Sequence, residues 1–456
     1  MSKNLQQEQR RLIMLNEPIY KVIPRMAFPT IVAFLITSIY SLADTYFVNL
    51  WGGDNKAATA AVSVNASLDQ LIMMCGSMLA MGANSYIARL LGEGKEKKAS
   101  QVLSTSFYIA FALGALLLAA GSIWTEEMVN LLGATDTCRR YAMDYATYIL
   151  IAAPFMASSF VMNQCLRSEG SATLSMIGMG FGGVLNCILD PIFIFTFDMG
   201  VAGASLATAI SKVVSFSILI FPYLIKRSML RLSLKNFLPN WDIIKNVVSV
   251  GSSSMFRNGL AVIAAILLNN LADSDPLLAG LGVTTKIMMF PFCIILGFGN
   301  GFQPVAGFNW GAKRYDRVME SYRFSSKVAL WGAGIMALLI GVFANPLILA
   351  FAGNDQLMRS YGLVSILSQC IALPIHAWVA IVNMLCVGLG NAKGALALST
   401  ARQGSCFLPI LYPLSWLFGA YGLCSVQALA DVLSLALAIP LAISMTKKLK
   451  QAQLQA

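Results

Sequence analysis

The chain has 456 residues, of which 57% are hydrophobic and 12% are charged, with 32 Lys and Arg against 21 Asp and Glu. An average soluble protein has about 25% charged residues, so this composition excludes a disordered chain, a collagen-like fibre and an ordinary soluble enzyme. A membrane-spanning helix needs about 20 apolar residues, and the chain is long enough for many such spans joined by short loops. The composition therefore indicates a polytopic membrane protein.

Twelve apolar runs follow one another along the chain, and each could cross a bilayer as a helix that satisfies its own backbone groups. In chain order they lie at about 26–48, 57–88, 101–123, 141–165, 171–195 and 201–225, and then at 243–271, 278–306, 328–351, 361–389, 395–417 and 421–445. The predicted fold class is an all-α integral membrane protein with twelve transmembrane helices in two pseudo-symmetric six-helix bundles. The predicted domains are an N-terminal lobe at 1–225, a cytoplasmic connector at 226–242 and a C-terminal lobe at 243–456.

The basic residues indicate the topology. Twelve spans place both termini on one side, and most Lys and Arg residues lie on that side, in the N-terminal tail, the connector and the loops around Lys95 and Lys313. The opposite side holds only Lys56, Arg139, Arg140 and Arg359. Because basic loops stay in the cytoplasm, we expect a multi-pass protein of the plasma (cell inner) membrane with both termini cytoplasmic. Most of the basic residues behind the net charge of +11 lie in loops that fix the topology, so no nucleic-acid partner is expected.

The two halves share a repeat. Gly82, Gly92 and Lys98 are matched 219 residues later by Gly301, Gly311 and Arg317. Six spans followed by six more in the same orientation form a parallel repeat about an axis along the membrane normal. This arrangement produces two packed bundles with a central cleft, which is typical of transporters.

The matched segments resemble the multidrug and toxic compound extrusion (MATE) transporters, in the bacterial branch close to staphylococcal multidrug exporters and the DNA-damage-inducible type. The segments are GANSYIARLLGEGKEKKAS at 82–100, LRSEGSATLSM at 166–176, NCILDPIF at 186–193, GVAGASLATAIS at 200–211, GFNWGAKRYDRV at 307–318 and GLGNAKGALAL at 388–398. The resemblance implies cation-coupled export of organic compounds by two lobes that alternate access to the two sides.

Acidic residues inside spans are costly and are functional candidates by default. Asp44 and Asp190 each lie about 27–29 Å along their helices from the side of the termini, so the two can share one site. Asn186 is four residues before Asp190 and projects from the same helix face, while Pro191 leaves the carbonyl of Cys187 without its usual donor. Asp44, Asn186 and Asp190 are therefore the predicted coupling site for H⁺ or Na⁺, and they coincide with the cation-site pattern that the resemblance implies. A purely structural role is the alternative.

Other polar residues within spans are candidates for the substrate cavity or for ion pairs. Asp69 has no comparable partner in the sequence, and the second half has Leu408 and Tyr412 where the repeat would place Asn186 and Asp190. Lys212 and Asp431 occupy equivalent positions, which favours a salt bridge between the lobes, with substrate contact as the alternative.

Four more such residues keep open roles. Arg257, Lys286 and Arg402 could counter Asp69 or attract acidic substrate groups. His376 is the only histidine and is either a hydrogen-bonded packing residue or a proton relay.

The predicted function is a cation-coupled antiporter that exports amphipathic, often cationic organic compounds by alternating access, with Pro29 as a hinge in the first span. The alternative is a flippase for a lipid-linked or polysaccharide precursor. No Walker motif occurs, so an ion gradient must drive transport. Neither an enzymatic activity nor a cofactor is expected, and the expected state is a monomer in the lipid bilayer that binds small organic molecules.

Overall fold

The computed structural model describes residues 3–52, 56–132, 134, 136–352 and 355–455, and within them it contains helices and turns but no strand. The helices are α1 (Lys3–Asn16), α2 (Ile19–Gly52), α3 (Lys56–Gly92), α4 (Glu96–Ile123), α5 (Thr125–Leu131), α6 (Arg139–Ser168), α7 (Ala172–Pro191), α8 (Gly200–Leu224), α9 (Trp241–Leu271), α10 (Asp275–Gly311), α11 (Tyr315–Val342), α12 (Ala344–Ala352), α13 (Gln356–Gly388), α14 (Ala392–Thr400), α15 (Phe407–Leu433) and α16 (Leu435–Leu454). Two π-helical turns, Ile192–Thr196 and Ala401–Ser405, extend α7 and α14.

The transmembrane spans follow from these helices. Eleven helical stretches are long and apolar enough to cross a membrane, and the last of them, Ala392–Leu454, has 63 residues. A helix of that length would extend about 95 Å, far more than the roughly 30 Å of the hydrocarbon core. Gly419 interrupts it with φ 55° and ψ −135°, a left-handed backbone conformation that glycine adopts readily. The stretch therefore forms two spans, and the predicted all-α membrane fold with twelve transmembrane helices is confirmed.

The start of α2 and the end of α16 lie on one side of the membrane, here called the terminal side. Lys450 and Gln453 near the C-terminus line the same surface groove as Ile19 at the start of α2 and Arg323 in the first turns of α11. Between the two halves, α8 ends at Leu224 and α9 begins at Trp241. The intervening segment lies where the connector is predicted, and the lobe boundaries stay predictions.

Glu169 fixes this segment to the N-terminal half. It lies in the turn between α6 and α7, is 1% exposed, and accepts hydrogen bonds from the Ser228 hydroxyl at 2.7 Å and the Met229 amide at 2.6 Å. Burial raises the pKa of Glu169 to about 7, although the hydrogen bond from Ser228 partly opposes the shift. The connector is therefore held by a buried carboxyl group that titrates near neutral pH.

Glycines allow the two halves to approach each other on the terminal side. A Cβ on Gly82 of α3 would overlap the Val247 carbonyl oxygen of α9 and would lie 2.6 Å from the carbonyl carbon. Gly92 and Gly311 have the same role where α3 crosses α10, since a Cβ on Gly311 would lie 2.8 Å from the Arg89 carbonyl carbon. The repeated glycines of the sequence thus lie at close contacts between the lobes.

The lobes are joined over the terminal half of the membrane. In the described part of the chain, hydrogen bonds between them include those of Ser85 with Val387, Lys98 and Tyr86 with Asp242, Gln164 with Asn300, Asn309 with Met14, Arg317 with Glu17, Ser77 with Asn258, and Ser38 with Cys293. The last two pairs lie near the middle of their helices, and none of these bonds joins the lobes closer to the opposite side. The structure is therefore closed on the terminal side.

Candidate functional site

Asp190 of α7 is a buried acidic residue of the N-terminal half. Its exposed fraction is 0% and that of Asn186, one turn earlier on α7, is 2%. The Asn186 amide donates hydrogen bonds to Asp190 Oδ1 at 3.0 Å and to the Thr208 hydroxyl of α8 at 3.1 Å. Pro191 ends α7, and a π-helical turn follows it. The predicted pairing of Asn186 with Asp190 on one helix face is present, and the backbone becomes irregular directly beside it.

Asp44 and Asp69 add two further carboxylates, and all three carboxylates lie near Tyr145. Asp44 of α2 is close enough to both Asp69 of α3 and Asp190 for the charges to interact, and the Tyr145 hydroxyl of α6 is its hydrogen-bonding neighbour. Lys212 of α8 donates a hydrogen bond of 2.7 Å to the Tyr40 hydroxyl, and its charge interacts with those of Asp69 and Asp44. Five helices of one lobe therefore contribute to a cluster of three carboxylates and one ammonium group, here called the acidic cluster.

Several oxygens of the acidic cluster have no hydrogen-bond donor. In the described part of the structure, the buried atoms without a hydrogen-bond partner include Asp44 Oδ1, Asp69 Oδ1, Asn186 Oδ1 and Asp190 Oδ2. A buried charged oxygen that lacks a donor is costly, and a proton or a cation removes that cost. These oxygens are therefore suited to take up a small cation. No group of three His, Cys, Asp or Glu side chains in the described chain is arranged to hold a metal ion, so the carboxylates alone do not form a ready-made metal site.

The structure changes the interpretation of Asp69. The sequence offered it no partner, whereas the fold places it beside Asp44 and Lys212. Neither Tyr40 nor Tyr145 was among the predicted site residues. Tyr40 lies four residues before Asp44 and so shares its helix face, a signal that the sequence contained. Tyr145 comes from another span, and only the packing of α6 brings it to Asp44.

The predicted salt bridge between Lys212 and Asp431 is wrong. Lys212 is held by Tyr40 in the N-terminal half, and Asp431 is paired in the C-terminal half with Arg402, at 3.0 Å from Nε to Oδ1. His376 Nδ1 lies 3.5 Å from the same oxygen. Because Lys212 and Asp431 are equivalent under the repeat, they occupy matching positions in different bundles. Each of them contacts a residue of its own bundle.

A second cluster of polar residues therefore occupies the C-terminal half. The Arg402 guanidinium lies 4.1 Å from the ring centroid of Phe292, and the edge of His376 contacts the same ring at 5.3 Å between centroids. Arg257 of α9 donates a hydrogen bond to the Ser254 hydroxyl at 3.3 Å. The sequence left two roles open for Arg257 and Arg402, a charge partner of Asp69 or a contact for acidic substrate groups. Neither side chain forms an ion pair with Asp69 within the described chain. Leu408 and Tyr412 stand where the repeat would place Asn186 and Asp190, and Tyr412 is 56% exposed.

Pro29 lies inside α2, which continues without a break from Ile19 to Gly52 and also contains Pro24. Pro29 is buried, and the hydroxyl of the adjacent Thr30 donates a hydrogen bond of 2.8 Å to the Met26 carbonyl. Asp44 lies on the same helix, on the far side of its midpoint from Pro29. The hinge role of Pro29 stays a prediction.

Comparison with known proteins agrees with this architecture. The MatE family model matches residues 29–192 and again residues 251–413. The multidrug export protein MepA of Staphylococcus saprophyticus is 27% identical over 89% of this chain and 89% of its own length, and MepA of Staphylococcus aureus is 25% identical over 89% and 90%. An outward-facing structure of a multidrug resistance MATE family transporter of the MOP superfamily superimposes with a TM-score of 0.88 at 23% identity, covering 97% of this chain and 98% of that one.

The two matches of the family model lie one in each half of the chain and together cover most of it. They coincide with the internal repeat and with the two sets of spans. This chain belongs to the MatE (MATE) family of membrane transporters, and it is a transporter rather than an enzyme.

Proposed function

We propose that the protein is a multidrug exporter in which inward movement of a cation, H⁺ or Na⁺, drives outward movement of amphipathic organic compounds. The proposed location is the plasma membrane, with the terminal side facing the cytoplasm. The observation that carries the proposal is the acidic cluster, where buried oxygens of Asp44, Asp69 and Asp190 lack hydrogen-bond donors. The multidrug export activity named for the staphylococcal relatives supports the substrate class.

The cluster provides a physical basis for coupling. Three carboxylates near one ammonium group leave negative charge in a low-dielectric region, where like charges repel strongly. Binding of a cation relieves this repulsion and allows α2, α7 and α8 to pack more closely. A cation can shift the equilibrium between two transporter states only if it binds them with different affinity. Since the cluster contains residues of five helices, any relative movement of these helices changes its affinity for the cation.

The experiment is dye efflux from cells or everted vesicles that express the protein, with the proton gradient and the sodium gradient collapsed separately. Loss of efflux in one condition identifies the coupling ion. Asp44→Asn and Asp190→Asn should each abolish efflux while membrane expression is retained. Asp144→Asn is the matched control, because Asp144 is an exposed acid on α6 next to Tyr145. Efflux at the wild-type rate by either buried variant would refute the proposed site.

A flippase for a lipid-linked or polysaccharide precursor is the second candidate. It is favoured by one observation, the cavity lined by Arg257, Lys286 and Arg402 in the C-terminal half, because a precursor of that kind carries phosphate groups. A flippase need not be coupled to an ion gradient. Absence of dye efflux by the wild-type protein, with both gradients present, would favour it over the exporter.

A further inference from the structure

A cavity of about 640 Å³ lies within the C-terminal half. It is lined by α9, α10, α13 and α15, by the π-helical turn after α14, and on one side by Gln70 of α3. Pockets of this volume are of the size that binds drug-like molecules. Its walls combine apolar side chains, among them Phe292 and Phe407, with several polar groups. The cavity therefore lies outside the acidic cluster and is large enough for an organic ligand.

The charged groups of this cavity are basic. Arg257, Lys286 and Arg402 line it, and none of the described lining residues is Asp or Glu. Asp431 lies behind Arg402 and neutralises one charge through its contact of 3.0 Å. Arg257 and Arg402 are close enough for their charges to repel each other, and Arg257 has no ion-pair partner within the described chain. The cavity thus carries positive charge that the protein around it does not balance.

A polar group in the wall of the same cavity also lacks a partner. Gln427 lines the same cavity, and its buried Nε2 atom has no hydrogen-bond partner among the described residues. An unmade hydrogen bond at a buried donor is costly, and an anionic oxygen in the cavity would accept one from Gln427. Two independent observations, the unbalanced charge and the unpaired donor, point to the same ligand chemistry.

We propose that this cavity is a binding site for the anionic group, a carboxylate or a phosphate, of an amphipathic organic molecule. Arg257 and Lys286 bind the anion, because Arg402 is already engaged by Asp431 and Phe292. The apolar wall around Phe407 binds the rest of the molecule. This site would define a substrate class of the proposed exporter. That the bound molecule is transported depends on the proposed function, whereas its binding does not. The site extends the expected substrates from cations to zwitterions and anions.

The test is binding to the purified full-length protein in detergent, measured by fluorescence anisotropy with no ion gradient present. The probes are a rhodamine dye with a free carboxylate and the methyl ester of the same dye, which differ only in the anionic group. Wild-type protein should bind the acid more tightly than the ester. Arg257→Gln and Lys286→Gln should each weaken binding of the acid about tenfold or more, the order expected for one charge-assisted hydrogen bond. Binding of the ester should stay within about twofold.

Two controls separate charge from fold. Arg257→Lys keeps the charge and should retain the preference for the acid. Lys393→Gln removes an exposed lysine on the terminal side and should change nothing. If wild-type protein binds acid and ester equally, or if the Gln variants weaken both dyes alike, the inference is wrong.

The source of the anion is decided by competition. Displacement of the acid by a short-chain phosphatidylglycerol, but not by phosphatidylcholine with the same chains, assigns the subsite to lipid headgroups. Failure of both lipids to compete assigns it to free organic anions. The preference for the acid is measured with no ion gradient, so it tests this site alone. Absence of ion-coupled efflux by the wild-type protein would refute the exporter and would leave the binding result unchanged.

Discussion

Replacement of Gly82 by Ala should block closure of the terminal side. Gly82 faces the backbone of α9, and an added Cβ would overlap the carbonyl oxygen of Val247 and lie 2.6 Å from its carbonyl carbon. Backbone atoms cannot rotate away as a flexible side chain can. The two helices must therefore separate before the methyl group fits.

The size of the effect follows from the geometry. Ordinary van der Waals contact at a Cβ begins at 3.4 Å, so α3 and α9 must separate by at least about 0.8 Å, the difference between that contact and the carbonyl-carbon distance. Forced overpacking of this kind costs about 1–3 kcal/mol. A state in which the terminal side is open does not bear this cost, because α3 and α9 are then apart. The equilibrium should shift toward that state by roughly 5- to 150-fold.

The assay is a distance distribution between spin labels on the two lobes. Lys97→Cys and Lys245→Cys place labels at exposed terminal-side positions of α4 and α9, in a background from which the nine native cysteines have been removed. Gly82→Ala should add or enlarge a population with a longer distance and should reduce dye efflux. Gly334→Ala on α11 is the control, because a Cβ there meets nothing within 4 Å.

The reasoning is refuted if Gly82→Ala and Gly334→Ala give the same distance distribution. It is also refuted if Gly82→Ala lengthens the distance only because the protein has unfolded, which a thermal melt in the same detergent would reveal. Gly251→Ala is a second probe of the same contact, since its Cβ would lie 2.8 Å from the Met78 carbonyl carbon.

Three further predictions concern the N-terminal half. Asp69→Asn should reduce gradient-driven efflux as strongly as Asp44→Asn, because the carboxylate of Asp69, like that of Asp44, interacts with the charge of Lys212. Efflux equal to that of Asp144→Asn would contradict this. Pro29→Ala gives residue 29 an amide that can donate to the Arg25 carbonyl, so it should slow the transport cycle while dye binding to purified protein is retained; an unchanged efflux rate at matched expression would remove Pro29 as a hinge. The pKa of Glu169 is raised from 4.5 to about 7, so its contribution to stability is fully present below pH 4.5 and is lost as the pH rises through 7, by about 3 kcal/mol. The difference in melting temperature between wild-type protein and Glu169→Gln should change over that range, whereas exposed Glu320→Gln should give a flat difference; a flat difference for Glu169→Gln as well would show that its pKa is ordinary.

The sequence predicts the helices well because membrane spans have a direct compositional signal. A run of about 20 apolar residues specifies a span without reference to its neighbours, and the positions of Asn186 and Asp190 on one helix face follow from helix geometry alone. The sequence also shows the glycines Gly92 and Gly311, because they recur at the constant offset of the repeat. It does not show their role at the lobe interface, since that depends on which helices cross.

Contacts between different helices could not be predicted from the sequence. Asp69 and Lys212 are separated by 143 positions in the sequence, and nothing in either span indicates that they lie together. The pairing of Lys212 with Asp431 was inferred from the repeat, which relates equivalent positions rather than touching ones. Symmetry in a sequence therefore predicts matching environments, and contact has to be read from the packing of the helices.

The two lobes share a backbone plan but have opposite polarity. In the N-terminal half Lys212 lies near the carboxylates of Asp44 and Asp69, whereas in the C-terminal half Asp431 lies against Arg402 and His376. If the cation binds one lobe and an anionic organic group binds the other, the two ligands do not compete for the same atoms. Any antagonism between them must then act through the conformational equilibrium, which each ligand biases by its own difference in affinity between the two states. The glycine contacts on the terminal side are the natural place for that coupling, because they are formed in the closed arrangement and must separate when that side opens.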